Sequence, residues 1–319
     1  MLNIKLHVNF SPMVGLLFGI LAASSASIFI RFAQQDAPSL VIAAYRLTFA
    51  TLILAPIAIS RRMEEIKSLT MRQVGLMALS GVFLGCHFAT WISSLKYTSV
   101  PSSAVLVTTS PLWVALLSPL FLKERIGRTV GAGLVIALVG SVIVGGSEAC
   151  HWTDFGMNCE SFSQALHGKM LFGNFLALAG AWFAAFYLVI GRKVRPGLSL
   201  LCYTFVVYGI AAATLLVMVA VSGESMLGYQ PSTYGFFLAL AVFPQLLGHT
   251  SFNWALKFIP AALVSIVLLG EPISSTVLAF IILKEPPTML ELIGGFFILG
   301  GIYLASRPEA KKTLAVAVE

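Results

Sequence analysis

The chain has 319 residues, of which 58% are hydrophobic and only 10% charged. A soluble domain carries about 25% charged residues, so this balance excludes one and demands an integral membrane protein. The formal net charge of +7 would point to nucleic acid only if the basic residues formed a stripe on a soluble domain; they lie instead in clusters between apolar runs, where they orient a membrane protein.

Ten apolar segments follow in order, at 13–32, 40–59, 74–95, 102–122, 130–146, 170–191, 199–222, 233–256, 261–283 and 289–305. The junctions between them carry proline, glycine and charge. The first segment has some features of a signal peptide, since Lys5 and the run 12–21 precede the small residues 22–26. Its hydrophobicity continues to Phe32, however, and cleavage would break the repeat described below, so it reads as a span.

Segment 2 holds Arg46 about two turns inside one end, roughly 9 Å deep. Its stem can snorkel to the headgroups, the plainer reading, or its guanidinium can grip a substrate carboxylate. Segment 3 brings Gly81 and Gly85, whose spacing suits close helix packing, then His87 and Trp91. Segment 4 is interrupted by Pro111 and ends at Lys123-Glu124. The loop 147–169 contains Cys150 and Cys159, expected to pair as a disulfide outside the cytoplasm. His151, Asp154 and His167 share that loop at spacings too irregular for a metal site.

Segment 6 contributes Trp182, and segment 8 contributes His249 and Asn253. His87 and His249 fall in corresponding segments and read as interhelical hydrogen-bonders, with a proton relay as the alternative. Trp91, Trp113, Trp182, Phe186, Tyr187, Tyr208, Phe252, Asn253 and Trp254 make the interior aromatic; of these, Trp91, Trp182 and Asn253 are expected to line a cavity.

Segment 9 is the most informative. Its 23 apolar positions, at ~1.5 Å each, span a bilayer core of ~30 Å, yet Glu271 and Pro272 interrupt it at mid-depth. A carboxylate there costs ~2.5 kcal/mol or more on insertion scales, so Glu271 should face protein or water and serve a purpose. It is the leading functional residue, binding a cationic group of a substrate or taking up a proton during a transport cycle. Pro272 removes a backbone donor beside it. The dull alternative is a structural carboxyl that satisfies broken backbone.

Counting Lys and Arg on alternate sides puts fifteen with the termini and four opposite, which orients both termini toward the cytoplasm. The chain also repeats itself. A gapless shift of 161 positions pairs Arg31 with Arg192, Leu95-Lys96 with Leu256-Lys257, Pro111 with Pro272, Leu122-Lys123-Glu124 with Leu283-Lys284-Glu285, Gly133 with Gly294 and Gly140 with Gly301. Glu271 pairs with Ser110, so symmetry does not require the acid. Five spans per copy insert the two copies oppositely, the architecture of secondary transporters with a mid-membrane site between the halves. The fold class expected is therefore an all-α polytopic membrane protein of ten transmembrane helices in two inverted five-helix repeats, at 1–146 and 170–306. The loop 147–169 joins them and the tail 307–319 follows.

The chain resembles the EamA transporters of the drug/metabolite transporter superfamily. The motifs that carry this are YRLTFA at 45–50, LKYTSVPSSAVLVTTSPLW at 95–113, LKER at 122–125, LGEPISS at 269–275 and LKEP at 283–286. The resemblance covers about residues 13–306 and implies a ten-helix inverted-repeat carrier whose cavity is lined mainly by helices 1, 3, 4, 6, 8 and 9. It implies a small-molecule substrate, export of amino acids or related metabolites as the first reading, and a bacterial inner membrane as the setting. A proton is a candidate coupling ion, and monomer and homodimer are both open. Uptake or exchange of nucleotide-like or cofactor-like metabolites is the alternative carrier. A scaffold or a membrane-embedded enzyme is the alternative of another class. No phosphate-cradling glycine loop, HExxH helix or nucleophile elbow is present, and no cofactor or nucleic-acid partner is expected.

Overall fold

The computed structural model describes residues 11–98, 103, 106–146, 150–153, 156–159, 168–283 and 289–307. Apolar runs in lipid must satisfy their backbone groups internally, and here they do so as helices: α1 (Pro12–Ser24), α2 (Ala26–Ala33), α3 (Ser39–Lys67), α4 (Met71–Ser94), α5 (Ser110–Phe121) and α6 (Arg128–Gly146) in the first half. A two-stranded hairpin, β1 (Cys150–Thr153) and β2 (Gly156–Cys159), follows. The second half holds α7 (Gly168–Val194), α8 (Leu200–Ser222), α9 (Pro231–Leu240), a π-helical stretch Ala241–His249, α10 (Thr250–Ala255), α11 (Ala261–Leu268), α12 (Glu271–Leu283) and α13 (Met289–Ala305).

The helix ends follow from local chemistry. Pro12 and Pro231 open α1 and α9, where a fixed φ and a missing donor cost nothing. Thr70 and Gln73 close a capping box at the start of α4. Ser199 accepts from the Cys202 amide at 3.2 Å to start α8, and Gly223, at φ +70°, ends it in the left-handed region that favours glycine.

Among the described residues, six stretches are long and apolar enough to cross a membrane: Pro12–Ala33, Ser39–Lys67, Met71–Ser94, Lys169–Gly197, Leu200–Ser222 and Pro231–Ala255. Shorter apolar helices stand where the other four segments were expected, at Ser110–Phe121, Arg128–Ile143, Ala261–Ser275 and Leu292–Ala305. Exposed Leu52, Leu116, Leu120, Val217 and Phe296 give the outside of the bundle an apolar surface. The chain is thus a helical polytopic membrane protein.

Three segments depart from expectation. The second does not stop at 59: α3 runs on to Lys67, because Arg62, Glu64 and Glu65 are sound helix formers and Arg62 pairs with Glu65 one turn on, at 3.8 Å. The eighth is not a uniform α-helix, since Pro244 cannot donate and the chain widens into π geometry around it. The ninth is two helices. Leu269 and Gly270 make i→i−3 bonds to Ile266 and Val267, and a fresh helix starts at Glu271 with Pro272 second, where proline is tolerated.

Packing is by adjacent pairs. α4 lies on α7, α3 on α8 and α6 on α13, while α1 lies on the π stretch and α10, and α5 meets α11. At the α6–α13 crossing the backbones touch: a Cβ on Gly133 would fall 2.6 Å from the Gly301 carbonyl oxygen, and one on Gly140 2.6 Å from that of Gly294. Gly81 and Gly85 of α4 likewise abut the Val207 and Ala211 carbonyls of α8. In the hairpin, Cys150 stands opposite Cys159 in the antiparallel register. The side chains of these two cysteines, and Lys284 and Glu285, lie outside the described residues.

Candidate functional site

Two helix starts converge on one hollow. Ser110, the first residue of α5, and Glu271, the first of α12, both line a cavity of about 110 Å³. A helix begins with unpaired amides and a partial positive charge, so each start tolerates a negative or accepting group at mid-helix depth. The Glu271 carbonyl accepts from Ser24 Oγ of α1 at 3.2 Å, which fixes the break against the first helix. α1 and α2 supply Ala23 and Ala26, α3 Arg46, α4 His87 and Trp91, and α7 Ala184, Tyr187 and Leu188. His249, Phe252 and Ser265 form part of the remaining wall, with Val107, Thr108, Leu268 and Leu269.

Arg46 is the correction of most consequence. It does not run to the headgroups; it is buried, 1% exposed, with its guanidinium 4.1 Å above the Phe88 ring. Its Nε donates to Gln245 Oε1 at 2.8 Å, and its Nη1 has no hydrogen-bond partner among the described residues. Gln245 comes from the π stretch, whose carbonyl at this residue accepts from Tyr208 Oη and Thr250 Oγ1 at 3.5 and 3.3 Å. The widened turn at Pro244 exposes that carbonyl to side chains and aims Gln245 at Arg46.

The two histidines differ. His87 Nδ1 lies 2.9 Å from the Gly180 carbonyl of α7; a carbonyl only accepts, so Nδ1 holds the proton and Nε2 remains an acceptor. Its ring stacks on Trp91 at 6.0 Å. His249 Nδ1 is buried without a hydrogen-bond partner among the described residues, and its ring meets Phe88 edge-on at 5.2 Å.

Trp182 and Asn253, expected on the wall, are not part of the lining. Trp182 packs edge-on against Trp113 at 5.3 Å, because α5 and α7 close over that face. Asn253 is fully buried one layer behind, accepting from Tyr187 Oη at 2.8 Å and donating to Tyr208 Oη at 3.3 Å. Pro111, in the first turn of α5, and Pro272, in that of α12, sit beside Ser110 and Glu271 at the two helix starts.

Sequence reasoning overlooked Gln245, Tyr208 as a hydrogen-bonding centre, and Arg195. Gln245 beside Pro244 inside an apolar span was a readable signal. Arg195 was not readable, since it stands among loop-like Arg192–Pro196 chemistry yet is only 1% exposed. Its Nε donates to the Asn253 carbonyl at 2.8 Å and its Nη1 to the Leu198 carbonyl at 2.6 Å. Beside it Arg192 bridges Glu124 at 2.7 Å and the Leu256 carbonyl at 2.9 Å, and Glu65 accepts from the amide and hydroxyl of Ser199, both at 2.6 Å. These contacts tie the ends of α3, α5, α7, α8 and α10 together.

Outside the spans, Asp36 ties the α2–α3 turn to the start of α9. Its Oδ2 accepts from the Gln230 amide at 2.8 Å and from Thr233 Oγ1 at 2.7 Å. The Gln230 amide first, then the Thr233 hydroxyl, hold this carboxyl below its ordinary value of 3.8.

The profile of the EamA-like transporter family matches this chain twice, over residues 11–146 and 171–307. An uncharacterized transporter of Archaeoglobus fulgidus is 25% identical over 88% of this chain and 91% of its own length. The uncharacterized transporter YdfC of Bacillus subtilis is 24% identical over 82% and 79%. Solute carrier family 35 member G1 of mouse is 26% identical over 68% of this chain and 58% of its own. A solved crystal structure superposes with a TM-score of 0.72 at 19% identity, covering 95% of this chain and 98% of the other, a likeness of fold. With the profile spanning nearly the whole chain in two copies, the protein belongs to the EamA-like transporter family of the drug/metabolite transporters.

Proposed function

We propose that the protein is a secondary carrier that exports a small metabolite, an amino acid or a close relative, by rocking two five-helix halves about the cavity. The halves are 1–146 and 170–306, inserted oppositely, with both termini cytoplasmic in a bacterial inner membrane. The observation that carries the reading is Glu271: an acid at the start of a broken helix, on the wall of a mid-chain cavity that also holds Arg46. Symmetry of packing supports the inverted halves. Under the 161 shift, the α4–α7 contact becomes that of α1 with the π stretch and α10, while α3–α8 and α6–α13 map onto themselves. The twofold match to the family profile supports them again.

Glu271 binds the ammonium of the cargo or takes up a proton in exchange for it. Energy for uphill movement comes from an ion or substrate gradient. A cavity of about 110 Å³ favours amino-acid-sized cargo over a nucleotide or cofactor. The test is counterflow of labelled amino acids in proteoliposomes across a range of pH. Saturable exchange by the wild type, with a pH dependence lost in Glu271→Gln, is the expected result. Absence of exchange for every compound of a broad metabolite panel overturns the carrier. Normal, equally pH-dependent exchange by Glu271→Gln removes the proton role.

A further inference from the structure

We propose that Arg46 is the anchor for a single carboxylate of the cargo, a reading that rests on the carrier function above and narrows its substrate to small amphoteric acids. A guanidinium has five donors in a rigid fork and is always charged. That of Arg46 is held on two sides only, by the Phe88 ring at 4.1 Å and by Gln245 Oε1 at 2.8 Å. Its Nη1 is buried and has no partner, although Arg46 lines the cavity. Among the described residues the ion pairs are Arg62 with Glu65 and Arg192 with Glu124, so no described carboxylate lies within 4 Å of Arg46; Glu271, on the same cavity wall, is the acid whose charge it feels most. A buried cation held at a distance from its acid is costly, and a fixed fork with one unsatisfied arm, on a residue of the cavity wall, is a geometry that a planar carboxylate completes.

Three features choose the carboxylate. One arginine matches a monoanion, whereas a phosphate dianion needs more positive charge than this wall offers. Glu271, on the same wall, repels a second anionic group and accepts an ammonium. The cavity, at about 110 Å³, is of the order of the ~150 Å³ hollow that holds benzene, so it suits a small group.

The test compares binding of the free amino acids glycine, alanine, serine and threonine with that of their carboxamides, using full-length protein in nanodiscs. At least one free acid is expected to bind about 10- to 100-fold tighter than its amide, the worth of a hydrogen bond to a charged group. Arg46→Gln is expected to abolish that preference, and Arg46→Lys to restore part of it without the fork geometry. The acid-to-amide ratio of the wild type needs no variant, so it stands even where Arg46→Gln fails to fold. Amides binding as tightly as acids, an acid preference that survives in Arg46→Gln, or no binding of any acid overturns the anchor. Saturable exchange of amines lacking a carboxylate leaves the carrier intact while removing the anchor; failure of all exchange removes the carrier itself.

Discussion

Two arginines of this protein are equally buried, each 1% exposed, and differently provided for. Arg195 spends its donors on the carbonyls of Asn253 and Leu198 and lies 5.8 Å from the Tyr203 ring centre. Arg46 has the same kind of aromatic neighbour and one amide acceptor, and one arm without any. Burial alone therefore does not separate a structural arginine from a functional one. Under the proposed anchor the completeness of the hydrogen bonding does, because a fold that needs a buried cation satisfies it internally, while a site leaves the last partner to arrive from outside.

The sharpest way to break this comparison is Arg195→Ala. It strands two buried carbonyls, and the loss should be about 2–4 kcal/mol, read as a lower melting temperature of the detergent-purified protein. A variant as stable as the wild type would erase the distinction. Arg46→Gln should be far milder, within about 1 kcal/mol of the wild type, because the bond lost to Gln245 is offset by removal of a buried guanidinium whose Nη1 is unsatisfied.

A smaller effect belongs to Asp36, which is exposed and ties two helix ends outside the spans. Its carboxyl is held below 3.8 in the folded protein, so its contribution is fully present above that unfolded value and is lost as pH falls through the folded one. The melting difference between wild type and Asp36→Asn should exist at neutral pH and vanish in strong acid; a pH-independent difference would mean that the tie does not depend on charge.

The smallest effect concerns the hairpin. We expect Cys150 and Cys159, opposite one another in the ladder, to be joined, so alkylation of the denatured, unreduced protein should modify two of the four cysteines. Reduction should leave the melting behaviour of both arginine regions unchanged, because the hairpin's described residues pair with one another. Modification of all four would show free thiols.

Much of the architecture was legible in the chain itself. Apolar runs long enough for lipid, prolines and glycines at their ends, and an offset repeat at 161 led to helices near the expected bounds, and Gly81 and Gly85 of α4 meet α8 as small-residue spacing predicts. Glu271 stood out because an acid in an apolar run is costly wherever it faces lipid. The polar wall behind the cavity was not legible. Asn253 was expected to face the hollow and stands one layer back, since helical periodicity gives a face and not a depth. Arg46 admitted two destinations, headgroup or interior, and a flexible stem reaches both. Gln245 depended on a local widening of the helix that no periodicity of 3.6 describes.

Composition and hydropathy by themselves determined a polytopic helical membrane protein, and one charged residue in the wrong place determined where to look for its work. Only tertiary structure decided which polar groups share a cavity and which are used up by one another. The reason is physical: burial in lipid depends on the transfer of one side chain and can be read locally, whereas hydrogen-bond satisfaction depends on partners as distant as residues 46 and 245, which the packing of helices alone brings within 2.8 Å.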